Sequence, residues 1–268
     1  MQARRRPAEP EPVVVDSAVA FRPGRGDDVG GWQLREPLGR GGSACVWRAV
    51  DGVGRVAALK IPNAHAADLL RHEHMLLAAF PHPNVVATSG IVASHDRAAL
   101  VLEYLPGGDL VALAGGPPQH WLSALYRVLA ALRDLHAHGY AHCDVKARNV
   151  LFATDNSPRL IDFAAARPLD APLRRSIATA ACTPAGPSTS GRAADCFAFA
   201  ALAYALATGR LPYGATGARW GGEAPMTAIA HTVPLLALAA DVLRADGRVH
   251  DGLSMFADDI ESALKTHC

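Results

Sequence analysis

Two short stretches near the middle of the chain decide its fold, and both place charged residues beside apolar segments. They are His142-Cys143-Asp144-Val145-Lys146-Ala147-Arg148-Asn149 and Leu160-Ile161-Asp162-Phe163. Val150-Leu151-Phe152 follows the first stretch directly, and this pattern is typical of short strands. Asp144 and Asp162 are therefore expected at strand ends. The plain alternative for each aspartate is a structural role in a turn or a helix cap.

A lysine and a glutamate upstream form a second candidate pair. Lys60 ends the apolar run Val56-Ala57-Ala58-Leu59, which predicts a strand over 55–61. Glu73 lies in a stretch with leucines at helical spacing, which predicts a helix over 66–80. A lone lysine in such a strand commonly extends its charged end to solvent. The alternative is an ion pair between Lys60 and Glu73.

A glycine-rich turn precedes this pair. It is Gly39-Arg40-Gly41-Gly42-Ser43-Ala44-Cys45-Val46, between strands predicted at 32–38 and 44–50. Glycine has no Cβ, so backbone N–H groups there can approach phosphate oxygens. A plain hairpin turn has the same composition. The strand–turn–strand setting disfavours a dinucleotide-binding turn, which runs from a strand into a helix.

Composition restricts the class of protein. The chain has 268 residues, of which 50% are hydrophobic and 19% charged, as in a folded domain with a real core. Its formal charge of +1 disfavours nucleic acid as a partner. Five cysteines without a CxxC pair favour a reducing compartment, and the sequence has no apolar run of membrane-spanning length. We therefore expect a cytoplasmic protein.

The predicted elements divide the chain into a sheet-rich part and a helical part. Residues 1–30, with several prolines and glycines, are interpreted as a flexible N-terminal arm. A strand is predicted at 100–104 and helices at 121–138 and 193–208. We expect one domain over 31–268, with an N-lobe at about 31–105 and a C-lobe at about 106–268.

In this order and spacing the motifs resemble the eukaryotic-type serine/threonine protein kinases of bacteria, from about Trp32 to Leu264. The resemblance implies an α+β, bilobal protein kinase fold with a five-stranded N-lobe, one helix αC and a helical C-lobe. ATP and Mg²⁺, with Mn²⁺ as the alternative metal, are expected between the lobes. Further matches are His82-Pro83-Asn84-Val85-Val86 after helix αC, Asp195 at the start of a core helix, and Thr208-Gly209-Arg210-Leu211-Pro212-Tyr213 at its end.

The resemblance assigns the chemistry to the two central stretches. Asp144 is expected to orient the substrate hydroxyl and accept its proton. Lys146 is expected to neutralise charge on the transferred phosphoryl group. Asn149 and Asp162 offer the hard oxygen ligands that Mg²⁺ prefers.

The resemblance also assigns the nucleotide site to the N-lobe and its junction with the C-lobe. Lys60 is expected to contact the α- and β-phosphates and to be held by Glu73. Leu102 takes the position that borders the adenine pocket. The implied nucleotide-binding residues are Leu38, Gly39, Gly41, Gly42, Val46, Ala58, Lys60, Leu102, Glu103, Leu105 and Leu151.

The implied function is transfer of the ATP γ-phosphate to Ser or Thr hydroxyls of a protein substrate, with a regulatory partner acting through the N-terminal arm. One alternative is a pseudokinase or a weakly active nucleotide-binding scaffold, which Ala44, Ala164 and the altered segment 182–188 favour. A second alternative is a small-molecule kinase of the aminoglycoside type, which Lys146 disfavours.

Three departures from the family pattern carry expectations about the nucleotide loop, the metal-binding motif and the segment 182–188. Ala44 replaces the third loop glycine, which predicts weaker nucleotide binding. Ala164 replaces the glycine after Phe163, which predicts that the segment changes conformation less readily. Ser188 replaces a glutamate, which leaves Arg248 without its usual partner.

A fourth departure concerns regulation. Cys143 stands where many kinases have an arginine that pairs with a phosphate on the activation loop. We expect this protein not to depend on phosphorylation of that loop, in which Ser176, Thr179 and Thr183 lie. A disulfide between Cys143 and Cys182 is the alternative to two buried thiols. A metal site at His136, His138 and His142 is a weaker alternative.

Overall fold

The computed structural model describes residues 22–63, 66–94, 97–172, 182, 190–213, 234–244 and 252–267. Its N-terminal part is one antiparallel sheet with the strand order β1-β2-β3-β4-β6-β5. The strands are β1 (Asp28–Val29), β2 (Trp32–Arg40), β3 (Ala44–Asp51), β4 (Val56–Pro62), β5 (Thr88–Ser94) and β6 (Arg97–Leu102). One helix, α1 (Ala67–Ala79), lies between β4 and β5 in the chain.

Strand β1 corrects the expectation from the sequence, which began ordered structure at Trp32 and counted five strands. Val29 pairs with Trp32 and is fully buried in the core of the sheet. Gly30 makes the turn between β1 and β2 with φ 60°, and a Cβ there would lie 2.7 Å from the Val92 Cβ. The sheet is therefore curled, so that β1 approaches β5. A strand of two residues is too short to show alternation in the sequence.

Strand β4 shows how the sheet brings a charged residue into the interior. Successive side chains of a strand point to opposite faces. Ala57, Leu59 and Ile61 pack in an apolar cluster on one face, whereas Ala58 joins the larger core that includes α1. Lys60 lies two residues after Ala58 and is only 8% exposed. The alternation therefore directs Lys60 toward α1.

Helix α1 presents a matching carboxylate to the sheet. Its buried residues include Leu70, Glu73 and Leu77, at the three- and four-residue spacing that places side chains on one helix face. Glu73 is thus held between leucines on the face that packs against the sheet. The predicted helix over 66–80 is confirmed with small differences at its ends.

The C-terminal part is mostly helical. Its helices are α2 (Pro118–Ala137), α3 (Gly191–Thr208), α4 (Pro234–Arg244) and α5 (Met255–His267). Two small antiparallel sheets pair β7 (Tyr140–Ala141) with β10 (Arg167–Pro168), and β8 (Val150–Phe152) with β9 (Pro158–Leu160). Among the described residues, no helix combines the length and apolarity needed to cross a membrane.

Helix α3 forms the centre of this part, and local sequence explains both of its ends. The Ser190 side chain accepts a hydrogen bond from the Ala193 N–H at 3.3 Å, as an N-cap does. Gly209 ends the helix with φ 70°, the left-handed conformation that glycine adopts without strain. Between these ends the helix is buried nearly all round, and α2 and α4 pack against it. The α+β architecture expected from the sequence is therefore present.

Candidate active site

The Lys60 ammonium lies between two carboxylates. Its Nζ is 2.6 Å from Glu73 Oε2 and 2.7 Å from Asp162 Oδ1. Glu73 Oε1 also accepts the backbone N–H of Phe163 at 3.2 Å. The Glu73 side chain is 1% exposed, whereas that of Asp162 is 38% exposed. One cation therefore joins β4, α1 and the segment after β9.

Burial and charge act in opposite directions on these groups. Burial alone would lower the pKa of Lys60, but the charges of Glu73 and Asp162 outweigh it and raise that pKa above its usual value. Burial raises the pKa of Glu73, and Lys60 offsets only part of this. Burial would also raise the pKa of Asp162, yet the charge and hydrogen bond of Lys60 hold it below its usual value. Asp162 therefore stays ionised.

The glycine-rich turn joins β2 to β3, and β3 pairs with the strand that carries Lys60. The Gly41 N–H donates to the Ala44 carbonyl at 2.8 Å. None of Gly39, Gly41 and Gly42 has a positive φ, and a Cβ at Gly39 or Gly42 would meet no protein atom within 4 Å. The fold itself therefore does not require glycine at these two positions. Glycine at these positions leaves the backbone open to close approach by a ligand.

Strand pairing places four of the predicted nucleotide-binding residues on one face of the sheet. Val46 pairs with Lys60, and Ala58 pairs with Leu102. Because Ala58 and Lys60 are two residues apart, all four side chains share the face that Lys60 occupies. Leu38 lies at an irregularity between β2 and β3 and is 45% exposed.

The remaining predicted nucleotide-binding residues lie where the sheet meets the helical part. Glu103 follows β6, and its backbone N–H donates to the Ala87 carbonyl at 2.9 Å. Its carboxylate accepts the Ala87 N–H at 3.3 Å and lies 3.4 Å from Arg159 Nε. Leu105 packs against the main core, and Leu151 in β8 is half-buried. The segment 103–105 thus connects the sheet to the helical part, and the contacts of Glu103 hold it in place.

The loop between β7 and β8 holds a compact polar cluster around Asp144. Lys146 Nζ lies 2.6 Å from Asp144 Oδ2, and Asn149 Nδ2 donates to the same oxygen at 3.0 Å. Asn149 Nδ2 also donates to the Asp144 carbonyl at 2.8 Å. The Ile161 N–H donates to the Asn149 carbonyl at 2.9 Å, which places Asn149 beside the residue preceding Asp162. The structure therefore brings the predicted catalytic and metal-binding residues into adjacent segments.

The same loop is also held by the carboxylate of Asp195, which is fully buried at the start of α3. Its Oδ2 and Oδ1 accept the backbone N–H groups of His142 and Cys143 at 2.8 and 2.7 Å. His136 Nε2 lies 2.9 Å from Asp195 Oδ2. The sequence pattern placed Asp195 at the start of a core helix, but it did not indicate the contact with His136. The sequence feature that could have indicated this contact is the position of His136 at the end of α2, close in sequence to the loop.

His142 is held in one orientation by both of its ring nitrogens. The Asp144 N–H lies 3.2 Å from His142 Nδ1, and the Ile161 carbonyl lies 3.0 Å from Nε2. Because an N–H donates and a carbonyl accepts, this pattern assigns the neutral ring with its proton on Nε2. The ring also packs edge-on against Phe163, with centroids 4.7 Å apart. His136 and His142 thus use these nitrogens for protein contacts.

The structure accommodates two departures from the family pattern without strain. Ala164 lies in a 3₁₀ turn (Phe163–Ala165) and is not among the residues with positive φ, whereas Asp162 takes the left-handed conformation with φ 66°. Alanine therefore costs nothing in this conformation. Ala44 is 7% exposed and pairs with Pro62, so its methyl group is buried within the sheet.

Cys143 lies in a small apolar cluster with Ala141, Ala165 and Leu169. It and Cys182 are free thiols, and burial raises the pKa of both, that of Cys182 to about 11. Thiols with such pKa values are mostly protonated at neutral pH and are weak nucleophiles. The predictions about Ser176, Thr179, Thr183, Ser188 and Arg248 concern positions that lie outside the described residues.

The chain combines a curled sheet with one helix, a second part that is mostly helical, a buried Lys60–Glu73 pair that Asp162 joins, and Asp144 in an adjacent loop. These features define the class of bilobal kinase-like proteins. Sequence comparison agrees, since the family described as protein kinase domain matches residues 32–228. The chain belongs to this protein kinase family. Membership implies use of ATP and a divalent metal ion.

Individual relatives include serine/threonine-protein kinases from bacteria. PkaA of Streptomyces coelicolor is 33% identical over 213 residues, which cover 68% of this chain and 39% of that protein. Pkn1 of Myxococcus xanthus is 31% identical over 210 residues, which cover 70% of this chain and 30% of that protein. RqkA of Deinococcus radiodurans, a DNA damage-responsive kinase, is 35% identical over 148 residues, or 50% of this chain and 22% of that protein. The matches thus span less than half of each relative.

Proposed function

We propose that this protein transfers the γ-phosphate of ATP to Ser or Thr hydroxyls of a protein substrate. The position of Lys60 carries the proposal, because its Nζ contacts both Glu73 and Asp162 within 2.7 Å. A cation for the phosphates and a carboxylate for a metal ion are thereby held side by side. The bacterial relatives are named serine/threonine-protein kinases, which supports the class of acceptor. The domain that carries this activity is proposed to span 31–268 together with β1 (Asp28–Val29), which pairs with β2.

The loop between β7 and β8, called the catalytic loop from here on, supplies the groups that orient the acceptor hydroxyl and take its proton. The oxygen of the acceptor hydroxyl attacks the γ-phosphorus, the bond from that phosphorus to the bridging β,γ-oxygen breaks, and ADP leaves. Asp144 orients the hydroxyl and takes its proton on a carboxylate oxygen. Lys146, 2.6 Å from Asp144 Oδ2, lies close enough to neutralise charge on the transferred group. Catalysis of this kind depends on positioning and charge more than on covalent chemistry.

The residues present fit a divalent cation beside the phosphates. Asp162 is ionised and partly exposed, and Asn149 offers a side-chain oxygen in an adjacent segment. These are hard oxygen ligands of the type that Mg²⁺ prefers, with Mn²⁺ as the alternative. When bound, the metal neutralises negative charge on the phosphates. Lys60 acts with it by binding the α- and β-phosphates.

The nucleotide is proposed to lie between the sheet face of Val46, Ala58 and Leu102 and the half-buried Leu151 below it. Leu38 covers the opening, and the backbone of Glu103 and Leu105 faces the adenine edge. Gly39, Gly41 and Gly42 allow the turn to approach the phosphates.

Free thiols and the need for ATP favour a cytoplasmic location. A regulatory partner acting through residues 1–30 stays a prediction, since residues 1–21 lie outside the described residues.

The test is transfer of labelled γ-phosphate in the presence of Mg²⁺ or Mn²⁺, with wild type compared with Asp144→Ala. We expect transfer by the wild type and a loss of about 100-fold or more in the variant, with ATP still bound. Asp170→Asn, which changes an exposed carboxylate outside the cluster, is the matched control. Binding of ATP without transfer to several acceptor proteins would contradict the proposal and favour a pseudokinase. Transfer to aminoglycosides but not to proteins would favour a small-molecule kinase.

A further inference from the structure

One residue after β4 ties down the glycine-rich turn. Asn63 Nδ2 donates to the Gly42 carbonyl at 2.7 Å, and the Asn63 backbone N–H donates to the Ser43 carbonyl at 2.7 Å. The Asn63 carbonyl in turn accepts the Ala66 N–H at 2.9 Å, just before α1 begins. Two successive carbonyls of the turn therefore face the end of β4.

Peptide geometry then determines where the neighbouring N–H groups point. A trans peptide unit is planar, and its C=O and N–H point in opposite directions. The Gly42 carbonyl shares a unit with the Ser43 N–H, and the Ser43 carbonyl shares the next with the Ala44 N–H. Because Asn63 holds both carbonyls, both N–H groups point away from β4. Within the described part of the chain, the Ser43 N–H has no hydrogen-bond partner.

We propose that Asn63 is a positioning residue that aims the N–H groups of Ser43 and Ala44 at the phosphates of the nucleotide. Successive N–H groups turned to one side form a concave site for anions. The inference rests on the proposed function, because it takes ATP as the ligand. It assigns to Asn63 a part that none of the sequence motifs indicated.

The side chain of Asn63 is well suited to a mutational test. Asn63 is exposed, so its side-chain hydrogen bond makes only a modest contribution to folding. Asn63→Ala removes the bond to Gly42 and leaves the backbone bond to Ser43. Asn63→Asp keeps the shape but replaces the donor with a carboxylate that repels the Gly42 carbonyl. Gln33→Ala, which removes an exposed amide at the other end of the sheet, is the matched control.

The experiment measures dissociation constants for adenosine, ADP and ATP by calorimetry on the full chain, with the melting temperature of each variant. We expect Asn63→Ala to weaken ADP and ATP about fivefold, since one hydrogen bond orients the phosphate site. Asn63→Asp is expected to weaken both further. Adenosine has no phosphate, so we expect the Asn63 variants to bind it within twofold of the wild-type affinity. Gln33→Ala is expected to bind all three ligands within the same twofold range. In the transfer assay, KM for ATP rises while kcat changes little.

Two results would overturn the inference while the proposed function stands. In one, Asn63→Ala binds ATP as the wild type does. In the other, adenosine and ATP weaken equally together with a lower melting temperature, which would indicate a merely structural role. A wild-type protein that binds no ATP would overturn the proposed function and this inference with it.

Discussion

Lys60 Nζ and Glu73 Oε2 lie 2.6 Å apart in a site where the glutamate side chain is 1% exposed. The pair joins strand β4 to helix α1, and each of the two buried charges compensates the other. Strand alternation directs Lys60 toward α1, and helical spacing directs Glu73 toward the sheet. A buried pair of this kind adds little stability over an apolar pair, but loss of one partner is costly. This balance agrees with the proposed function, in which Lys60 binds the phosphates of ATP.

Removal of Lys60 alone is expected to harm both stability and activity. Lys60→Met leaves Glu73 buried without its cation, which lowers the free energy of unfolding by about 3 kcal/mol. It also removes the proposed contact with the phosphates, so we expect kcat to fall about 100-fold. Urea unfolding and the transfer assay measure the two effects.

The double variant Lys60→Met/Glu73→Gln provides the control. It removes both charges, so we expect it to be more stable than Lys60→Met, although its kcat stays as low as that of Lys60→Met. A double variant no more stable than the single variant would show that the buried charge of Glu73 is not the source of the loss.

Acid stability is expected to depend on Asp162. Its pKa lies below the usual 3.8, because Lys60 outweighs the effect of burial. The unfolded chain binds this proton more readily, so ionised Asp162 favours the folded state above about pH 3.8, and this contribution is lost as pH falls through the folded pKa. Asp162→Asn should therefore show a shallower fall in melting temperature below pH 3.8 than the wild type. Asp170→Asn serves as control, and equal slopes for all three proteins would contradict the assignment.

Asp195 is expected to stabilise the catalytic loop through its backbone. Its carboxylate accepts the N–H groups of His142 and Cys143, and Cys143 has the unusual φ of 65°. Asp195→Ala leaves two buried donors unsatisfied, which lowers the free energy of unfolding by about 3 kcal/mol. Displacement of the loop also lowers kcat by about 100-fold.

Asp195→Asn keeps one oxygen acceptor, and we therefore expect a smaller loss of stability than in Asp195→Ala. Chemical denaturation and the transfer assay distinguish the two variants. Wild-type stability in Asp195→Ala would show that the loop conformation does not depend on this carboxylate.

Much of the candidate site was predictable because its residues stand in short motifs with regular spacing. Lys60 stands in an apolar strand and Glu73 in a leucine-rich helix, so local periodicity indicated both elements. The contacts of Asp144 with Lys146 and Asn149 arise within one loop. Local sequence carries such information directly.

The rest depends on contacts between distant segments, which local patterns do not contain. Strand β1 is stabilised by pairing with β2 and by the burial of Val29, and a two-residue strand has no periodicity of its own. Asn63 contacts Gly42 across the space between two strands. The conformation of Ala164 likewise follows from the left-handed Asp162 before it and not from alanine itself.

Activity is expected not to require phosphorylation of the activation segment. Cys143 is 5% exposed in an apolar cluster, where it offers no cation to a phosphate. The triple variant Ser176→Ala/Thr179→Ala/Thr183→Ala should therefore keep kcat/KM within about threefold of the wild type. Mass spectrometry of the wild type establishes whether these residues carry phosphate. Loss of activity in the triple variant with an unchanged melting temperature would contradict the expectation.

Replacing Ala164 by the glycine of the family pattern is expected to lower the stability of the fold. Ala164 lies in a 3₁₀ turn without positive φ, so the substitution gains no freedom that the turn requires. Glycine has more conformational entropy in the unfolded chain, and Ala164→Gly should lower the free energy of unfolding by about 0.5–1 kcal/mol. Because Asp162 already contacts Lys60, kcat is expected to stay within about twofold. A large gain in kcat would instead show that alanine restrains a movement of this segment that turnover requires.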